Sequence, residues 1–120
     1  MDEGVSLSTL HVVGDAYVCC VAGDLDDSTA DRLRMALDRI QARGGRRVIV
    51  DLCAVDFLHP TGLGLLLMTA DELNAGGGTL TVVADDPRIL RLIETTGSGE
   101  RLRLERTLSE AMSGVGAGSS

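Results

Sequence analysis

The centre of this 120-residue chain reads Asp51-Leu52-Cys53-Ala54-Val55-Asp56-Phe57-Leu58-His59-Pro60-Thr61-Gly62-Leu63-Gly64-Leu65-Leu66. It follows Val48-Ile49-Val50, a continuous apolar run of the kind found in parallel strands that are buried on both faces. We expect a loop from Ala54 to Thr61 and a helix from Gly62 to Asn74. Strand, loop and helix make one βα unit, the repeating element of an α/β domain.

The residues before this unit predict two strands and a helix. Leu7 to Val13 alternates loosely in hydropathy, Ala16 to Ala22 is apolar, and Gly14-Asp15 between them is typical of a hairpin turn. Gly23 to Asp27 is expected to form a polar loop. The helix that follows has apolar residues at the spacing of one helical face: Ala30, Leu33, Leu37 and Ile40.

The residues after the unit continue the alternation. Thr79 to Val83 predicts a strand, and Asp85-Asp86-Pro87 predicts the start of a third helix, with an acidic cap and proline in the first helical position. Leu102 to Glu105 predicts a short last strand, and Thr107-Leu108-Ser109-Glu110 is a capping box for a final short helix. The positions expected to be buried in the second and third helices are Leu63, Leu66, Leu67, Ala70, Leu73, Ile89, Leu92 and Ile93.

The predicted order is ββαβαβαβα, an α/β fold with a mixed, mostly parallel sheet of four to five strands and four helices. Residues 1–112 form a single domain in this interpretation, and residues 113–120 a flexible Gly/Ser-rich tail. Ligands of such sheets bind beyond the carboxyl ends of the strands. A chain of this length is expected to be a monomer, and a weak homodimer is left open.

Composition excludes several classes of function. The net charge of −7 disfavours binding to nucleic acid phosphates, and all 11 basic residues are arginine. Without lysine, neither a Walker A phosphate site nor a Schiff-base enzyme can be built. The start of the chain lacks the apolar core of a signal peptide, and no apolar stretch is long enough to span a bilayer, so a cytoplasmic protein is expected. The three cysteines, Cys19, Cys20 and Cys53, are interpreted as small buried residues in a reducing compartment.

Only Asp51, Asp56 and His59 suggest catalysis, because a carboxylate beside an imidazole can act as a general base. No nucleophile or oxyanion motif accompanies them, and the two histidines, His11 and His59, have no metal-ligand spacing to cysteines or carboxylates. The sequence therefore predicts no enzymatic activity, no metal and no cofactor.

The central segment resembles the signature of STAS domains, especially that of the bacterial anti-sigma factor antagonists. Their pattern is a strand followed by Asp-Leu-Ser-x-Val-x-Phe-Leu/Met-Asp-Ser-Ser/Thr-Gly-Leu-Gly and an apolar helix. Gly23-Asp24-Leu25-Asp26 also resembles the family's Gly-Glu/Asp-Leu-Asp motif. The resemblance covers residue 7 to about residue 112 and implies the same order of strands and helices.

The resemblance implies a function in partner switching. An antagonist of this family binds an anti-sigma factor of the histidine-kinase-like ATPase type and thereby releases a sigma factor. The anti-sigma factor can phosphorylate the first serine of the family's Asp-Ser-Ser-Gly, and the added charge abolishes docking. Here His59 stands where the family has aspartate and Pro60 where it has the phosphorylated serine, whereas Thr61 retains a hydroxyl. Either the antagonist is permanently competent to bind, which we favour, or Thr61 has become the phospho-acceptor.

The partner-binding face implied by the resemblance combines the first loop with the start of the second helix. It comprises Asp24, Leu25, Asp26, His59, Pro60, Thr61, Gly62, Leu63, Gly64, Leu65 and Met68. Two other roles are left open, a STAS module that senses a nucleotide or lipid, and a subunit of a larger STAS assembly.

Overall fold

The computed structural model describes residues 5–7 and 11–116. Six strands form one sheet: β1 (Val5–Leu7), β2 (His11–Val13), β3 (Ala16–Leu25), β4 (Arg47–Leu58), β5 (Thr79–Val83) and β6 (Arg103–Glu105). The α-helices are α1 (Ala30–Ala42), α2 (Pro60–Ala75), α3 (Pro87–Thr95) and α4 (Leu108–Gly116), and a short 3-10 helix covers Ser98–Glu100. This is the predicted α/β alternation. The strand count is higher than predicted because the expected first strand, Leu7 to Val13, is two segments on either side of residues 8–10, which lie outside the described residues.

The four later strands are parallel and lie in chain order, β3-β4-β5-β6. Strands β1 and β2 are antiparallel to β3 and pair with its second and first halves respectively. The predicted hairpin is confirmed, because Val13 pairs with Ala16 across the turn and Gly14 has a φ of 62°. Glycine adopts this left-handed conformation without the steric cost that a Cβ would add.

Helices cover both faces of the sheet. When consecutive parallel strands are added in one direction, crossovers of one hand place their helices on the same face. Accordingly, α1, α2 and α3 share one core with the β-strand residues Cys19, Val48, Val50 and Val82, whereas α4 packs on the other face against Val18, Ile49 and Val83 through Ala111. The helical residues of the first core include the four predicted for α1: Ala30, Leu33, Leu37 and Ile40.

Two strands are longer than the sequence predicted. Gly23 to Leu25 belongs to β3 rather than to a loop, and β4 continues through Leu58 rather than ending near Leu52. The parallel pairing of the two strands passes two irregularities, after Cys20 and after Gly23, and ends at Leu25 opposite Leu58. Pairing between distant segments therefore extends both strands across residues that carry polar or turn-forming side chains.

The helices also differ from the prediction in their ends. Helix α2 begins at Pro60, where a missing N–H is tolerated, and not at Gly62. Within it Leu67, which was expected to be buried, is only half-buried, and Leu65, which lies off the predicted buried stripe, is buried. Helix α4 runs to Gly116, so residues 113–116 are helical rather than part of the predicted tail, and residues 117–120 lie outside the described residues. Packing of Ala111 on the sheet anchors this helix despite its glycines.

Within the described part of the chain, no helix combines the length and apolar character needed to cross a bilayer.

Candidate functional site

The two motifs of the sequence meet at the carboxyl edge of the sheet. Strands β3 and β4 end side by side there, and the His59 N–H donates a hydrogen bond of 2.9 Å to the Leu25 carbonyl oxygen. Helix α2 passes so close to this bond that a Cβ on Gly62 would lie 2.9 Å from Leu25 Cγ and 3.1 Å from the Leu25 carbonyl oxygen. Glycine at position 62 therefore permits the close approach that places residues 24–27 beside residues 59–61.

The loop between β3 and α1, residues 26–29, is held in place by hydrogen bonds from its own side chains. The Asp26 Oδ1 atom accepts hydrogen bonds from Ser28 N at 3.0 Å, Ser28 Oγ at 2.8 Å and Thr29 N at 3.2 Å. The hydroxyl of Thr29 donates to the Asp24 carbonyl oxygen at 2.8 Å and accepts from Asp26 N at 2.9 Å. The bonds from Ser28 and then from Thr29 lower the pKa of Asp26. The Asp26 carboxylate is thus engaged within the loop, while Asp24 and Asp27 are exposed.

His59 is the N-cap of α2. With φ −77° and ψ 151° it is extended, and its Nδ1 atom accepts a hydrogen bond of 3.2 Å from the Thr61 N–H. The same Nδ1 atom lies 3.5 Å from Asp27 Oδ1. A ring nitrogen cannot accept from an N–H and donate to a carboxylate at once. Because Nδ1 accepts the Thr61 N–H, the ring caps the helix in this conformation and does not donate from that atom to Asp27.

The structure sorts the predicted partner-binding residues into surface and core. Those on the surface are Asp24, Pro60, Thr61, Gly64 and Met68, and Asp26 and His59 are half-buried. Those in the core are Leu25, Gly62, Leu63 and Leu65. In this conformation these four pack beneath the surface, and Leu25, for example, has 0% of its surface exposed. Direct contact between them and a partner stays a prediction. Their role here is to position the exposed residues.

Phe57 was not predicted as part of the site. It is 51% exposed, and its ring stands edge-on to the His59 ring with centroids 6.1 Å apart. The lone phenylalanine of the chain, placed between a buried strand and a helix start, was a signal that could have found it. A large exposed apolar ring beside polar loops is typical of a binding surface.

Phe57 also lines a groove of about 370 Å³ between the end of β4 and α3. Arg88 lies at its rim, donating from Nη2 to the Asp86 carboxylate at 2.8 Å and to the Asp56 carbonyl oxygen at 3.3 Å. The groove walls are Asp56, Phe57, Leu58, Pro60, Arg88, Ile89 and Leu92. Pro60, the first residue of α2, therefore contributes to the apolar wall of this groove.

The three candidate catalytic residues are not assembled into a site. Asp51 lies in the middle of β4 and accepts a hydrogen bond of 2.9 Å from Cys53 N. Seven residues of nearly extended chain lie between it and His59, which corresponds to a separation of about 25 Å. Asp56 is exposed at the groove. Among the residues that the structure describes, no three histidine, cysteine or acidic side chains are grouped to hold a metal ion.

The cysteines have different environments. Cys19 and Cys20 point to opposite faces of the sheet, as adjacent strand residues must, and burial raises the pKa of Cys19 to about 11. Cys20 is half-buried and Cys53 is exposed, so the expectation that all three are buried holds fully only for Cys19 and is wrong for Cys53. Desolvation, followed by a hydrogen bond with Asp51, nevertheless raises the pKa of Cys53 to about 11. Each of these two thiols is therefore protonated near neutral pH.

Carboxylates surround the site. Asp24, Asp27, Asp56 and Asp85 are all exposed near the carboxyl ends of β3, β4 and β5. Arg88, the arginine at the groove, is ion-paired with Asp86. The surface at this edge is thus acidic around an apolar centre.

Comparisons with known proteins identify the family. The model of the STAS domain family matches residues 8–111. The chain is 32% identical over 101 residues to the anti-sigma-F factor antagonist RsfB of Mycobacterium tuberculosis, covering 84% of this chain and 82% of that protein. It is 30% identical over 90 residues to the anti-sigma-B factor antagonist of Listeria monocytogenes, covering 75% of this chain and 79% of that protein.

Solved structures agree with this assignment. An anti-sigma factor antagonist from Mycobacterium paratuberculosis superimposes with a TM-score of 0.85 at 30% identity, over 93% of this chain and 94% of that one. The unphosphorylated form of the antagonist SpoIIAA has the same fold, with a TM-score of 0.72 at 19% identity over 95% of this chain and 99% of that one. The chain therefore belongs to the STAS domain family, in which its relatives are anti-sigma factor antagonists.

Proposed function

We propose that this protein is a cytoplasmic anti-sigma factor antagonist, which binds an anti-sigma factor of the histidine-kinase-like ATPase type and so frees a sigma factor. It regulates transcription indirectly, by binding rather than by catalysis. Family membership and the names of its relatives support this role. The observation that carries the proposal is the hydrogen bond from His59 to Leu25, which joins the two family motifs into one surface.

That surface, which we call the docking surface, has a composition suited to a protein partner. It consists of Asp24, Asp27, Phe57, His59, Pro60, Thr61, Gly64 and Met68. Phe57 and Met68 supply exposed apolar area, and Asp24 and Asp27 supply charge at its edge. An apolar centre with a polar rim is the usual anatomy of an interface. Acidic residues at the rim favour a partner with a basic face and accelerate its association.

The proposed antagonist lacks the serine phospho-switch. Pro60 occupies the first position of α2 and has no hydroxyl to accept a phosphate. The neighbouring Thr61 is exposed, but it lies one position further into the helix, and its N–H is the group that His59 caps. We therefore propose that docking is controlled by the amount of the protein or by its partner rather than by phosphate on this chain.

Binding is tested by titration calorimetry against each anti-sigma factor of the ATPase type encoded in the same genome. Wild-type protein is expected to bind one of them and to displace its sigma factor from a preformed complex. The variant Asp27→Arg reverses a rim charge and should weaken binding about tenfold or more, mainly by slowing association. Asp38→Arg is the matched control, because Asp38 is an exposed acidic residue in the second half of α1. Lack of binding to every candidate would contradict the proposal.

The missing switch is tested by intact mass after incubation with the cognate anti-sigma factor and ATP. The wild type should gain no phosphate, and Pro60→Ser should gain one and then lose its affinity, because nearly two negative charges are added at the interface. Phosphate on Thr61 of the wild type would show that the acceptor has moved by one residue and that the switch is retained.

Ligand sensing predicts a different result. The groove beside Phe57 has a volume within the range of small-molecule sites. A rise in melting temperature with GTP, ATP or lipid, without binding to any anti-sigma factor, would favour that role over the antagonist.

A further inference from the structure

Gly64 lies on the exposed side of α2, one turn after its start. A Cβ built on it meets no atom within 4 Å, and its φ is not positive. Neither packing nor backbone conformation therefore requires glycine here. Glycine inside a helix is destabilising relative to alanine because it loses more conformational freedom on folding.

Gly62, two residues earlier, provides the contrast. A Cβ at that position would collide with Leu25 and would also lie 3.1 Å from Leu58 Cδ1. The fold explains Gly62 completely, whereas no contact within the described chain explains Gly64. A residue that destabilises its own helix for no internal reason is best accounted for by a contact outside the chain.

The surroundings of Gly64 are those of an interface. Thr61 and Met68 lie three residues before it and four residues after it, on the same side of the helix. Met68 is 43% exposed, so an apolar side chain lies beside the helix backbone that Gly64 leaves uncovered. Asp24 and Asp27 at the end of β3 add negative charge near the start of the same helix.

We propose that Gly64 is a specificity-determining residue at which the main chain of the anti-sigma factor lies directly against α2. The occupant is a segment of that partner with an apolar side chain on Met68 and arginine or lysine facing Asp24 and Asp27. The negative rim and the net charge of −7 select a basic segment. The inference rests on the proposed function and names the contact that gives it selectivity.

The test combines thermal stability with binding in Gly64→Ala and Gly64→Leu. Gly64→Ala should raise the melting temperature by about 2–5 °C, since alanine favours the helix and has free space. The same variant should weaken binding to the anti-sigma factor about 5- to 100-fold, because even one methyl group separates two surfaces in close contact. Gly64→Leu should abolish measurable binding while the protein remains folded.

Gly99→Ala is the matched control. Gly99 is also exposed with no atom within 4 Å of a Cβ, but it lies in the 3-10 helix before β6, at the opposite edge of the sheet from the start of α2. The Gly99→Ala variant should bind the anti-sigma factor with the same affinity as the wild type. Unchanged affinity in both Gly64 variants, with the wild type binding, would overturn this inference alone. A fall in melting temperature for Gly64→Ala would also overturn it, because the fold would then need the glycine. Absence of wild-type binding would contradict the proposed function as well.

Discussion

Replacing Gly62 by alanine should destabilise the protein, although alanine is the better helix former. The new Cβ would lie 2.9 Å from Leu25 Cγ, about 0.6 Å closer than a normal carbon contact of about 3.5 Å. Leu25 has no free space into which to retreat, because it is fully buried and its carbonyl oxygen accepts the His59 N–H. Overpacking of this kind costs about 1–3 kcal/mol, and the gain in helix propensity offsets about 0.5–1 kcal/mol. The expected net loss is therefore up to about 2.5 kcal/mol.

Urea unfolding followed by circular dichroism measures this difference. Gly62→Ala should lower the midpoint without changing the slope, the behaviour of a change in stability alone. Gly64→Ala on the same helix should shift the midpoint in the opposite direction, by about 0.5–1 kcal/mol of stabilisation. If both variants raised the midpoint, the close approach of α2 to β3 would not be what Gly62 provides, and the account of how the two motifs are joined would be wrong.

Two further predictions concern titratable groups. Cys53 should react with iodoacetamide at pH 8 roughly a hundredfold more slowly than an unperturbed cysteine, because its pKa is about 11. Asp51→Asn should accelerate this reaction. Equal reaction rates in the wild type and in Asp51→Asn would refute the effect of Asp51 on the thiol. The hydrogen bond from the Arg88 side chain lowers the pKa of Asp86 below its usual 3.8, so Asp86→Ala should reduce the melting temperature at pH 5–7. This difference should shrink as the pH falls through the lowered pKa, to the part that the neutral carboxyl retains as the cap of α3. A difference of the same size at pH 6 and in strong acid would contradict the ionic contribution.

The amphipathic helix α1 was predictable from local pattern. Ala30, Leu33, Leu37 and Ile40 recur at helical spacing, and all four are buried. The hairpin turn at Gly14 and the cap of α3 at Asp86 were predicted for the same reason. Caps and turns depend on a few neighbouring residues, so their chemistry is visible in the sequence.

The ends of β3 and β4 were not predictable in this way. Gly23, Asp24 and Asp56 are typical loop residues, yet the strands continue through them to Leu25 and Leu58. The pairing that extends them joins residues more than thirty positions apart and passes two irregularities in register. Strand formation depends on such partners, which a local pattern does not reveal.

Burial along α2 shows the same limit. The helix is apolar on nearly every side, so its periodicity does not single out one face. Leu65, which falls off the predicted buried stripe, is buried, and Leu67, which was predicted to be buried, is only half-buried. Which leucine is buried depends on which side of α2 packs against α1 and β5. In this conformation Leu63 and Leu65 therefore lie beneath the exposed residues of the docking surface.

By itself the sequence determined the order of the elements, the two STAS motifs, the acidic charge and the absence of a hydroxyl at Pro60, because each of these is a property of neighbouring residues or of composition. Only the tertiary structure decided that Leu25 and His59 are bonded, that Phe57 and Met68 are exposed and that Gly64 has empty space above it. These features arise where segments distant in the chain come into contact, and close packing leaves one arrangement of core and surface that no single segment specifies.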